Sequence, residues 1–165
     1  MNRNVDMAGY DGGVWNMVFA GCTGAPASHC SNQGGLPITN EPTAPVVVEK
    51  PFIAMDGSNF KLMVPKPEFN KVGHTPGYNN HDEIDFSEVY VASDKDTAAV
   101  INSKLDQGLH VVMQPGQYKL EDSLKLNKSG QVLLGMGLAT LIPQNGNAAV
   151  EVGNVDGVKV AGFLL

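Results

Sequence analysis

Residues 94–165 read DKDTAAVINSKLDQGLHVVMQPGQYKLEDSLKLNKSGQVLLGMGLATLIPQNGNAAVEVGNVDGVKVAGFLL, and this stretch decides the fold. Its opening, DKDTAAVINSKLDQG, has one apolar face, because Ala98, Ile101 and Leu105 fall at helical spacing. Asp94 or Asp96 is placed to cap the N-terminus, where the helix dipole favours negative charge, and Gly108 stands where a C′ glycine ends a helix. Then come HVVMQPGQY, DSLKLN, QVLLGMG, ATLIPQ, AAVEVGN and VKVAGFLL, short apolar runs parted by Gly, Asn or Asp. The runs repeat. Leu124 and Leu126 recur as Val150 and Val152 about 26 residues on, and Gly130, Leu133 and Gly135 recur as Gly157, Val160 and Gly162 about 27 on. A period of roughly 20 to 50 residues marks a solenoid, whose units bury their apolar faces only against neighbours. The pattern predicts a mainly β fold, a parallel β-helix. Its single α-helix would cover the open first coil, whose unpaired backbone otherwise invites edge-to-edge association. The apolar run Val160 to Leu165 predicts a truncated solenoid, completed by further coils or by self-association.

Upstream, three zones are expected: 1–22 as the end of a preceding β-helix or β segment, 23–93 as a connector, and 94–165 as helix and coils. VWNMVFAGC has the pattern of a buried strand. TGAPASHCSNQGGLPITNEPTAP is dense in turn formers and reads as a long irregular excursion. Val46 to Lys50, Phe52 to Met55 and Phe60 to Val64 are candidate strands, with Asp56-Gly57 a hairpin signal between the last two. Residues 65–87 read as loop.

Acids outnumber Lys and Arg by 17 to 11, and no basic cluster exists, which argues against nucleic acid or an anionic membrane as partner. No run approaches the roughly 18 apolar residues of a bilayer span. The start MNRNVDMAGYDGG has no signal-peptide core, so a secreted parent would carry its signal upstream. Cys22 and Cys30 close the short loop CTGAPASHC. A disulfide there would suit an oxidising compartment; the alternatives are two buried thiols, or a metal held with His29 at a spacing that matches no standard site.

Three quoted segments carry a family resemblance: Asp96-Thr97-Ala98-Ala99-Val100, Pro115-Gly116-Gln117-Tyr118-Lys119-Leu120, and Leu133-Leu134-Gly135-Met136-Gly137. Together they resemble the N-terminal module of pectate-lyase-like right-handed β-helices. GGVWNMVFAGCTGAP and TAPVVVEKPFI are similar to the inter-helix region of family-55 glycoside hydrolases. The resemblance implies two tandem β-helices in a longer extracellular protein acting on β-1,3-glucan, with catalytic groups mostly outside this window. A non-catalytic glycan-binding or surface-structural β-helix and a polysaccharide lyase are the alternatives, the lyase disfavoured by scarce Lys and Arg on the strands.

Glycoside hydrolysis needs a carboxylic acid and usually a second carboxylate roughly 5 to 9.5 Å away. The sequence singles out no catalytic pair. Tyr10, Asp11 and Trp15 are substrate-binding candidates, an acid beside rings on which a sugar could stack; the alternative puts Trp15 in a strand core and Asp11 in a turn. Glu49 is a fourth candidate, a carboxylate in an apolar run that would otherwise take the solvent face. His81, Asp82, Glu83 and Asp85 match no calcium-loop spacing and read as a solvated acidic loop, and His74 as a loop histidine. No metal site is assigned. G-M-G and G-N-V-D-G are not phosphate loops, so no nucleotide and no cofactor is expected.

Overall fold

The computed structural model describes residues 1–7, 18–26, 37–74 and 79–165. Those residues divide into two compact units, one of residues 1–49 and 65–81, the other of residues 50–64 and 82–165.

In the first unit β1 (Asn2–Arg3), β2 (Val18–Ala20) and β3 (Thr39–Glu41) form a parallel ladder in which Asn2, Phe19 and Asn40 lie in register. Phe19 is fully buried there. A separate antiparallel pair joins β4 (Ala44–Val47) to β7 (Glu68–Lys71). The strand expected over Val46 to Lys50 therefore starts and stops earlier: Ala44 and Val47 are the inward residues, and residues 48–50 are exposed.

The second unit begins with the hairpin β5 (Phe52–Asp56) and β6 (Asn59–Pro65). Asp56 pairs with Asn59, so the two-residue loop is Gly57-Ser58. Gly57 has φ +61° and Ser58 keeps a negative φ, the pattern of a II′ turn with glycine first. The hairpin forms as expected, but Asp56 is its last paired residue and not a loop residue. On the far side of β6 lies β8 (His81–Asp85), followed by a 3-10 turn at Phe86–Glu88 that the Asp85 carboxylate caps through the Ser87 amide. The expectation of loop over 65–87 fails at β7 and β8. Both are short and polar, held by backbone pairing, with Ile84 and Phe86 supplying apolar contact beside β8.

From β9 (Val89–Ala92) onward the chain coils as a parallel β-helix. After α1 (Ala98–Asp106), each turn contributes to three walls. The first wall holds β9, β10 (His110–Met113), the first half of β13 (Val132–Pro143) and β15 (Lys159–Leu164), all parallel. The second holds β11 (Gln117–Leu120), the second half of β13 and the end of β15. The third pairs β12 (Leu124–Leu126) with β14 (Val150–Val152). The sequence repeat is the rung register: Leu124 pairs with Val150, Leu126 with Val152, and Leu133 with Val160. Gly135 stacks on Gly162, and a Cβ at Gly135 would lie 2.5 Å from the Gly162 carbonyl oxygen and 2.6 Å from the Phe163 ring. Only glycine lets the coils close at that corner.

The interior is filled by Val111, Met113, Tyr118, Leu120, Leu124, Leu126, Leu133 and Leu141. α1 lays Ala98, Ile101 and Leu105 onto this core and so covers the first coil. Its N-cap is Thr97, whose Oγ1 accepts from the Val100 amide, and not Asp94 or Asp96. Asp96 instead accepts from the Ser93 amide and fixes the turn before the helix. At the other end Gly108 donates to Leu105 and Leu109 to Lys104, the two bonds of a Schellman motif. Buried Gln131 donates to the Leu105 and Leu109 carbonyls, joining the helix end to the second coil.

Alternate residues of the first wall point outward, and these are apolar too. Val112, Val132 and Leu134 are buried beneath Leu62, Val64 and Ile53 of the hairpin and Ile84 of β8. A parallel sheet covered on both faces reads as an unbroken apolar run, which is why VVM and VLL show no alternation.

Candidate functional site

The family-like motifs are structural joints. Tyr118 is fully buried, and its hydroxyl lies 2.8 Å from the Gln114 carbonyl and 3.0 Å from the Ala92 carbonyl, tying one coil corner to the strand before it. Burial, with Asp94 and Asp96 nearby, pushes its phenol up to about 12. Gly116 passes so close to the Asp94 side chain that a Cβ would sit 2.7 Å from it.

Beside this corner a polar cleft of about 300 Å³ opens between the β9–α1 turn and β11, lined by Asp94, Lys95, Asp96 and Thr97 on one side and Gln117, Lys119 and Glu121 on the other. Strand geometry explains the second row. Tyr118 and Leu120 point into the core, so Gln117, Lys119 and Glu121 all point out. Thr97 takes the capping role, which leaves Asp94 on the cleft wall. Tyr90 bonds to Asp96 of that turn: burial, and then this hydrogen bond, raises its phenol pKa, and Lys104 Nζ sits 5.3 Å from its ring centroid. The cleft alternates acceptors and donors, an arrangement suited to a ligand rich in hydroxyls.

Among the described residues the carboxyls whose pKa is clearly displaced both move down. Asp85 is held well below the usual carboxylate range by Lys61, 2.9 Å away, and by the Ser87 amide; Asp122 is lowered by Lys125 at 2.7 Å and the Ser123 amide. A general acid needs the opposite shift. These two are ion-pair acceptors.

Of the residues singled out from sequence, Tyr10, Asp11, Trp15, His29 and Cys30 lie outside the described residues. Glu49 is exposed two positions beyond β4, the solvent-facing alternative. Cys22 is half-buried with its Sγ 3.7 Å from the Ala20 carbonyl. On β8 Asp82 lies on the face opposite Glu83 and Asp85, and no cluster of three or more metal-ligating side chains occurs among the described residues. Sequence reasoning missed the cleft. Its one available signal was the alternation Gln117, Lys119, Glu121 against Tyr118 and Leu120.

Coil register, capping helix and stacked corner glycines define a parallel β-helix, and its likeness is to pectate-lyase-like domains. Residues 89–165 match the family described as the LAM55 pectate lyase-like domain. An exo-β-1,3-glucanase from Streptomyces sp. (strain SirexAA-E / ActE) is 41% identical over 165 residues, covering 99% of this chain and 27% of its own length. The solved structure of Lam55A from Streptomyces sp. SirexAA-E superposes with a TM-score of 0.82 at 41% identity, over 92% of this chain and 28% of that one. A variant of the same protein in complex with glucose gives 0.84 at 42% identity, over 92% and 27%. The chain thus spans about a quarter of the length of these relatives.

Proposed function

We propose that this chain is part of a secreted glycoside hydrolase acting on β-1,3-glucan, and that here it builds the wall of the substrate site and not its acid. The observation that carries the reading is the likeness to the Streptomyces exo-β-1,3-glucanase, which runs through nearly the whole chain and includes the coil joints. The β1–β2–β3 ladder supports reading the first unit as the last coils of a preceding β-helix. An acidic polysaccharide fits less well, because three carboxylates face two lysines in the cleft.

The test is a reducing-sugar assay on laminarin, run with this chain and with a version extended at both ends. Release of glucose by the extended protein alone is the expected result. If neither hydrolyses laminarin but both bind it, the protein is a glycan-binding β-helix and the hydrolase reading fails.

A further inference from the structure

We propose that the bare outer face of the second wall, from the polar cleft to the raised corner at Leu138, is a docking surface for a neutral β-glucan chain. The inference rests on the glucan reading above and adds where on this chain the sugar lies.

The outer faces of the first and second walls differ. The first wall is roofed by the hairpin, as parallel sheets usually are. On the second wall the outward residues Gln117 and Lys119 of β11, opposite Thr140 and Ile142 of β13, are exposed or half-exposed. At the edge of this face β13 leaves its register. It advances from Leu134 to Ala139 while β15 advances only from Ala161 to Phe163, so three extra residues bulge out. The bulge places Gly137 at φ +50° and Leu138 at φ +67°, with Leu138 72% exposed. A branched side chain in the left-handed region is costly, and one so exposed recovers little of that cost through packing. Glycine or asparagine would form the same corner with less strain. The leucine is therefore held out for contact, beside the row that begins at Gln117.

A pyranose presents an apolar C–H face and a rim of hydroxyls. Leu138 and Ile142 supply aliphatic contact for the first; Asp94, Gln117, Lys119 and Glu121 supply acceptors and donors for the second. The signs are interleaved, Asp94, Asp96 and Glu121 against Lys95 and Lys119, so no single-sign field selects a polyanion or polycation. That balance is complementary to an uncharged polymer, and its binding should be nearly insensitive to salt.

The experiment titrates laminarin into the full chain and into L138G and K119A, with thermal melting of each. L138G is expected to melt above wild type, because glycine relieves the positive φ, yet to bind laminarin about fivefold more weakly. K119A is expected to melt like wild type and bind weaker by a similar factor, and wild-type binding should change less than about twofold in high salt. Unchanged laminarin binding by both variants overturns the inference and leaves the glucan reading standing. So does a wild-type chain that fails to bind laminarin while the extended enzyme hydrolyses it. Preference for polygalacturonate over laminarin overturns both.

Discussion

Asn102 is a helical residue acting as a strand. Its Nδ2 donates to the Ser123 carbonyl and its Oδ1 accepts from the Lys125 amide, both at 2.8 Å, so one side chain occupies the edge of β12 as a neighbouring rung would. Replacing it with alanine leaves two backbone groups without these partners and is expected to cost about 1 to 3 kcal/mol, read as a lower melting temperature; Asn102→Asp, which keeps the acceptor, should fall between. His110 carries a second prediction. Its Nδ1 accepts from the Val132 amide at 3.1 Å, which requires that nitrogen to be unprotonated. Burial lowers the pKa, with Glu88 opposing more weakly. The unfolded chain therefore takes up the proton first as pH falls. The stability linked to this group is present above about pH 6.5 and is lost as pH drops through the lower folded value. Urea unfolding across that window should show the slope, and His110→Gln should flatten it. Asp85 and Asp122, being lowered carboxyls, lose their contributions only at more acid pH. The roles of Asn102 and His110 were not legible in the sequence, because their partners lie more than twenty residues further along the chain.

At the scale of elements, the hairpin is a roof. Leu62 is fully buried against the outward face of the first wall, far in sequence from Val132 and Leu134. Leu62→Ala should destabilise the second unit by about 2 to 5 kcal/mol in chemical denaturation, the usual range for a core truncation. A loss near zero would mean that the hairpin does not seal the sheet. The hairpin was legible because its turn chemistry and alternation are local. Its partner β8 was not, because HDEID has no apolar period beyond Ile84 and is held by backbone pairing to β6. The helix was legible in its buried face and its Gly108 stop. Its start was misread because Asp94, Asp96 and Thr97 are all competent caps, and only the folded turn assigns Asp96 to the Ser93 amide.

For the molecule as a whole, stability should be graded along the solenoid. β10 lies between β9 and β13 and has both faces covered. β14 is paired with β12 and largely exposed. Amide hydrogen exchange is expected to report global opening of the second unit at Val111 and Met113, and earlier, local opening at Val150 and Val152. Equal protection at the two sites would overturn that gradient.

The sequence by itself determined the coil, its period of about 26 residues and its capping helix, because rung residues must match their neighbours one turn on and that demand is written as a repeat. Tertiary structure alone decided which outer face is roofed, which acid lines the cleft instead of capping the helix, and that an exposed leucine stands in a left-handed conformation. Those outcomes depend on side chains brought together from distant positions, and such contacts leave no period to read.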